Sequence, residues 1–178
     1  VMSSGLVFAS SLLIIGVLIN WLLKGIVIAG FSLPSFDLVF NSVAVSLLSA
    51  LLITLLALPT SILITRYRGR IARMLDIMAY IGFGLPGISV ALGLTFGFTH
   101  FIPMLHQSFL VLFIGYVVLF IAPVLGSMKA SLLQISPTFE EAARSLGANR
   151  LKAMWSVTIP LVLPSIIGGF ATVFLLTI

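Results

Sequence analysis

The 178-residue sequence has few charged residues and no cysteine. Charged residues make up 7% of the chain, compared with about 25% in soluble domains. So few charges cannot cover the surface of a water-soluble globule, and 61% of the residues are hydrophobic. The absence of cysteine excludes disulfides, thiol chemistry and cysteine-ligated metals. The composition therefore predicts a protein that is solvated mostly by lipid.

Charged residues are also missing from the middle of every long apolar run. Ion-coupled transporters and proton pumps usually carry ionisable groups at that depth, so their absence indicates that energy enters from elsewhere. The sequence has no G-x-x-x-x-G-K-[ST] loop, so the chain is not expected to bind ATP itself. Its one pair of neighbouring carboxylates, Glu140 and Glu141, would point to different sides of a helix. No enzyme active site and no metal site are therefore expected.

Five apolar runs are long enough to cross a bilayer, which takes roughly 20 residues each. None of them shows the alternation of a membrane barrel strand. We therefore expect an all-α polytopic membrane protein with about five transmembrane helices. The last run is still apolar at the final residue, which predicts that the C-terminus is truncated. The runs cover approximately residues 6–23, 42–65, 77–98, 109–128 and 159–178.

The basic residues mark the topology. Lys and Arg concentrate in cytoplasmic loops, and eight of the nine basic residues lie in two alternate gaps between runs. Both gaps and the N-terminus are therefore predicted to be cytoplasmic, and the net charge of +5 is interpreted as a topology signal, not as a nucleic-acid surface. Asp76 is expected to pair with the first of these clusters. The clusters are Arg66, Arg68, Arg70 and Arg73, and Lys129, Arg144, Arg150 and Lys152.

Small residues and helix breakers recur within the runs. Gly93 and Gly97 form a GxxxG pattern, and Ser42, Ser46 and Ala50 follow each other at four-residue spacing, which favours close helix packing. The third run contains Gly82, Gly84, Pro86 and Gly87 near its middle. Broken helices often line transport sites, so Pro86 and Gly87 are candidate pathway-lining residues. A simple kink is the alternative.

The gap between the fourth and fifth runs, residues 129–158, is predicted to hold two short amphipathic helices. Ser136 can cap the first, with Pro137 at its first position, and Gly147 can end it. Asn149 can cap the second helix, which Pro160 should end. The apolar face of the first helix comprises Phe139, Ala142, Ala143 and Leu146.

Such a pair of helices has two interpretations. A charged helix with an apolar face of small residues suits insertion into a groove on a partner protein. An amphipathic pair can also lie on the membrane surface.

The spacing of residues 141–160 resembles the EAA signature of ABC importer permeases. That signature reads E-A-A, three residues, G, nine residues, and then I-x-L-P. Here Glu141-Ala142-Ala143 is followed at the same spacing by Gly147 and by Val157-Thr158-Ile159-Pro160. The two departures, Val for Ile and Ile for Leu, keep an apolar branched side chain.

The resemblance implies a role for each signature residue. Glu141 would be the acid at the contact with an ATP-binding subunit, Ala142 and Ala143 would allow close packing, Gly147 would make the turn, and Pro160 would close the coupling signature.

The same resemblance implies an architecture and a set of partners. Residues 1–178 would form one permease domain, and residues 129–158 its cytoplasmic coupling segment. The partners would be an ABC ATP-binding subunit, a second permease half in the same or another chain, and an external substrate-binding protein. ATP would be hydrolysed on the partner, no cofactor would bind this chain, and the chain would be a multi-pass protein of the inner membrane.

The substrate is less specifically marked. The stretches 20–25 and 85–88 resemble the ferric-iron group of these permeases, so ferric iron is the expected substrate. Sulfate, molybdate, thiamine and polyamine permeases share much of the pattern.

Two alternatives come from other classes of protein. One is an ion-coupled secondary transporter, whose charged groups would lie beyond residue 178. The other is a membrane scaffold that docks through its cytoplasmic helices.

Overall fold

The computed structural model describes the backbone of residues 2–29, 35–67, 69–105, 107–136 and 138–178. Side chains are described for residues 11–25, 35–67, 69–105, 107–136, 138–149 and 151–178. The chain divides into two compact units, residues 1–40 and 41–178. The first unit contains α1 (Met2–Ala29), and the second contains the segments that position the candidate site.

The described residues are helical almost throughout and contain no strand. A 3₁₀ turn, Pro103–Leu105, precedes α5, and a π turn, Met154–Thr158, joins α7 to α8. After α1 the helices are α2 (Phe36–Arg66), α3 (Arg70–Gly84), α4 (Gly87–Phe101), α5 (Phe109–Gln134), α6 (Thr138–Ser145), α7 (Arg150–Ala153) and α8 (Ile159–Thr177).

Helix α5 lies at the centre of the second unit, where α3, α4 and α8 pack against it. Helix α2 contributes a buried face of small residues, which includes Ser46 and Ala50 of the predicted stripe. Ser42, in contrast, is exposed. The core cluster consists of Ala50, Ile53 and Ala57 of α2, Val124 and Met128 of α5, and Val173 of α8.

Large apolar side chains cover most of the outer surface of the bundle. Water would penalise such a surface, whereas lipid solvates it. Together with the long apolar helices, this confirms the predicted all-α polytopic membrane protein.

The predicted number of five spanning helices is too high for the residues that the structure describes. Three helical stretches are long and apolar enough to cross a membrane: Phe36–Arg66, Phe109–Gln134 and Leu151–Thr177. The broken pair α3 and α4 raises the number to four if it forms one span. The first apolar run contributes the shorter helical stretch Ser11–Gly25 within the described side chains.

The third run is broken, not merely kinked. Leu85 and Pro86 are both extended, with ψ of 140° and 130°, and α3 and α4 meet at an angle of 107°. Proline disfavours the helical conformation of the residue before it, so the break falls at Leu85. Backbone hydrogen bonds resume on both sides of the break, where Leu85 N–H donates to the Gly82 carbonyl and Ser89 N–H to the Pro86 carbonyl.

The sequence predicted that the second short helix ends at Pro160, and this prediction is wrong. Helix α7 continues through the π turn into α8 as one helical stretch from Leu151 to Thr177. Proline lacks an N–H and clashes with the carbonyl four residues before it in a regular helix. The π turn widens the backbone just before Pro160, where Ile159 N–H donates to the carbonyl of Met154, five residues back.

Two other sequence predictions about packing are wrong within the described residues. Asp76 pairs with Lys129 of α5, whose Nζ lies 2.7 Å from both carboxylate oxygens, and not with the arginines. A Cβ added at Gly93 or at Gly97 would meet nothing within 4 Å, so this GxxxG pattern is not a close contact here. The close approaches are at Gly82 and Gly169 instead.

We predict that Gly82→Ala destabilises the packing of α3 on α5. A Cβ at this position would overlap the carbonyl oxygen of Val118, and overpacking costs about 1–3 kcal/mol. Gly84→Ala is the matched control, because a Cβ there meets nothing within 4 Å. In thermal unfolding of the detergent-solubilised protein, Gly82→Ala should melt below the Gly84→Ala control. Equal melting temperatures would contradict the close approach.

Candidate functional site

The candidate site is the segment from Ser136 to Pro160, which includes α6, α7 and the π turn. At its start, Thr138 N–H donates to Ser136 Oγ at 3.4 Å, and the two hydroxyl oxygens lie 2.8 Å apart. Ser136 therefore caps α6 as predicted, while Pro137 lies outside the described residues.

Gly147 ends α6 in the way its position in the sequence predicts. Its φ is +90°, a left-handed conformation that favours glycine. Gly147 N–H donates to the Arg144 carbonyl at 3.0 Å and Ala148 N–H to the Ala143 carbonyl at 3.1 Å. These two bonds form a Schellman motif. The turn then leads directly to Asn149, whose Oδ1 accepts from Lys152 N–H at 2.8 Å and caps α7.

The apolar side chains of this segment have little cover from the described chain. Leu146 is 90% exposed, Trp155 66% exposed, and Phe139 and Leu151 are also exposed. Helix α6 has no buried residue. An eight-residue helix is too short to be stable alone and usually depends on tertiary packing. The exposed apolar face of α6 lacks that packing.

Glu141 is exposed and lies on the outer side of α6. It lines a shallow surface depression together with Arg144, Ser145, Ala148 and Asn149. Of the predicted packing residues, Ala142 is exposed and Ala143 half-buried, and Pro160 is exposed in the first turn of α8. Glu141, Ala142, Ala143 and Gly147 thus share one short helix and its bend.

Glu140 has a different environment from its neighbour. One carboxylate oxygen, Oε1, lies 3.1 Å from Arg66 Nη2 and accepts from Thr158 Oγ1 at 2.8 Å. Arg66 Nη2 also donates to the Ile135 carbonyl at 3.4 Å. The side chains of Arg66 and Glu140 are 15% and 27% exposed. Sequence reasoning missed this cluster, because only the fold brings these residues together.

Pro86 and Gly87 lie at the break between α3 and α4, and both are exposed. Gly87 lines a cavity of about 310 Å³ between α4 and α5, whose walls include Leu94, Tyr116 and Leu119. The lining is largely apolar, with Gln107 and Ser108 among its polar groups. Within the described residues, no three His, Cys, Asp or Glu side chains gather as metal ligands would.

Comparison with known proteins identifies the family. Residues 57–178 match the model for the binding-protein-dependent transport system inner membrane component. The chain therefore belongs to this family of transport permeases and is a multi-pass protein of the inner membrane.

Curated relatives carry different substrate names. The Fe(3+)-transport system permease protein FbpB 2 of Haemophilus influenzae is 33% identical over 176 residues, which cover 94% of this chain and 35% of the relative. The putative 2-aminoethylphosphonate transport system permease protein PhnV of Salmonella paratyphi A is 24% identical over 83% of this chain and 59% of the relative. The sulfate transport system permease protein CysT of Salmonella typhimurium is 31% identical over 63% of this chain and 44% of the relative. The chain thus spans about a third of the length of the iron relative.

We predict that Gly147→Ala loosens the end of α6, while Gly147→Asn is better tolerated. A left-handed conformation costs a residue with a Cβ about 1 kcal/mol or more, and Asn adopts it more readily than Ala. Backbone amides of residues 146–148 should exchange with solvent about fivefold faster in the Ala variant. Equal exchange in the Ala and Asn variants would contradict the structural role of the turn.

Proposed function

We propose that this chain is the transmembrane permease subunit of an ATP-driven, binding-protein-dependent importer, and that α6 with its bend is the cytoplasmic surface on which an ATP-binding subunit docks. The observation that carries the proposal is the uncovered apolar and acidic surface of α6 in a chain of this family. Glu141 is the acid at the contact, Ala142 and Ala143 let the partner approach closely, and Gly147 sets the turn. Pro160 continues the segment into α8.

The exposure pattern favours docking over a helical pair lying on lipid. Glu141, Arg144 and the Asn149 amide line the same depression, and a partner groove can satisfy these polar groups. The partners of the complete importer are an ATP-binding subunit that hydrolyses ATP, a second permease half and an external substrate-binding protein. This chain binds no cofactor in the proposal.

Ferric iron is the proposed substrate. It is supported by the relative with an iron name, whose match extends over 94% of this chain. Similarity to phosphonate and sulfate permeases keeps another small solute as the second candidate. The ion-coupled and scaffold alternatives have no comparable support, since the three relatives described above are all named as permeases of transport systems.

We predict that Glu141→Arg abolishes transport. The arginine reverses the charge at the docking surface and should weaken binding of the ATP-binding subunit at least tenfold, as for one lost charge-assisted contact. The full-length protein would be reconstituted with its ATP-binding subunit and iron-loaded binding protein, and ATP hydrolysis and uptake measured. Asp37→Asn is the control. It removes an exposed acid in the first turn of α2, whereas Arg66 lies in the last turn of that helix.

Three outcomes decide between the candidates. Iron-stimulated hydrolysis that is lost in Glu141→Arg but kept in Asp37→Asn would support both the importer and its substrate. Stimulation by loaded sulfate- or phosphonate-binding protein alone would replace iron. A wild-type protein that neither binds an ATPase nor supports uptake would overturn the proposal.

We also propose that Pro86 and Gly87 line the pathway, and cysteine labelling in a cysteine-free background of the full-length protein tests this. In proteoliposomes, Gly87→Cys should react with a water-soluble thiol reagent, and bound substrate should slow the reaction. The new side chain fits, because a Cβ there meets only Leu119 Cδ1, at 3.7 Å. Gly93→Cys in the same helix is the control, with no protection expected. Equal protection at both positions, or none at Gly87, would contradict the assignment.

A further inference from the structure

Glu140 contacts Arg66 and Thr158, and through Arg66 it is also linked to Ile135, so α6 is joined to the ends of three other helical segments. Arg66 is the last residue of α2, Ile135 is the C-cap of α5, and Thr158 is the last residue of the π turn before α8. Two atoms, Arg66 Nη2 and Glu140 Oε1, therefore connect α2, α5, α6 and the π turn. None of these residues occupies a fixed position of the EAA signature, since Thr158 stands at its variable position.

Apolar packing does little to hold α6 against the bundle. The helix has no buried residue, and Phe139 and Leu146 face outward. A displacement of α6 can reach α7 and the π turn through the backbone and through the contacts of α6 with both elements. The printed side-chain contact that reaches α2 is that of Glu140 with Arg66.

The Glu140 contacts are strong enough to act as such a route. Hydrogen bonds to charged groups are stronger than neutral ones, and the two charged side chains are shielded from water. Thr158 is 1% exposed, so loss of its acceptor would leave a buried hydroxyl unsatisfied.

The two adjacent acids therefore face different sides of α6. Successive residues on an α-helix are about 100° apart, which turns Glu141 toward the exposed depression and Glu140 toward Arg66. We propose that Glu140 is a positioning residue that transmits movement of α6 to α2 and α8 through Arg66 and Thr158. This inference rests on the proposed function, in which an ATP-binding subunit moves α6.

The test uses the complete importer in proteoliposomes and measures binding of the ATP-binding subunit, ATP hydrolysis and substrate uptake together. In Glu140→Ala, the subunit should remain bound and hydrolyse ATP, while uptake per ATP falls roughly tenfold, the scale of losing one hydrogen bond to a charged group. Thr158→Val, which removes only the hydroxyl contact, should have a smaller effect in the same direction.

Two further variants separate transmission from stability. Asp76→Ala breaks an ion pair of similar exposure between α3 and α5 without touching α6, so it should lower the melting temperature but leave uptake per ATP unchanged. The double variant Arg66→Met with Glu140→Met removes both charges, which commonly restores stability to a broken buried pair. Its melting temperature should return toward that of the wild type, while its uptake per ATP should stay as low as in Glu140→Ala.

Each contrary result has a distinct meaning. Recovery of uptake per ATP in the double variant would show a purely structural role and overturn the inference. Loss of the bound subunit in Glu140→Ala would place Glu140 in the docking surface and overturn it as well, as would unchanged uptake per ATP. A wild-type complex without a bound ATP-binding subunit would contradict the proposed function, and the inference would fall with it.

Discussion

The structure depends on one constraint, which is that backbone polar groups in an apolar environment must find partners within the chain. Long helices meet it directly. Where the chain departs from a regular helix, at Leu85–Pro86 and in the π turn, N–H groups still donate to carbonyls three or five residues back. Some hydroxyls also find a backbone acceptor, as when Ser49 Oγ donates to the Val45 carbonyl at 2.7 Å, whereas Ser46 Oγ and Thr54 Oγ1 are buried without a partner among the described residues. Irregular backbone and polar side chains are thereby tolerated inside an apolar bundle.

The sequence predicted the features that depend on local rules. The cap at Ser136, the turn at Gly147 and the cap at Asn149 each involve contacts within five residues, and all three are present. The membrane helices also followed from composition and run length. Their number did not, because the third run is split at the residue before Pro86.

Contacts between distant residues could not be predicted in this way. Asp76 and Lys129 are 53 positions apart, and Glu140 and Thr158 are 18 apart, so the packing of α3 on α5 and of α6 on the π turn decides these partners. The sequence did separate the two neighbouring acids onto different sides of a helix. It gave no means of knowing that one side is exposed and that the other meets Arg66.

The π turn changes the phase of the last helical stretch. Ala153 and Thr158 are both buried although they are five residues apart, and Val162 follows four residues later. In a helix of 3.6 residues per turn, Trp155 and Val162 would share a face, yet Trp155 is exposed and Val162 is buried. The wide turn acts as a one-residue offset in the helical wheel. One continuous helical stretch can therefore expose Trp155 near its α7 end and pack Val162 and Val173 inward at its α8 end, each part with its own amphipathic register.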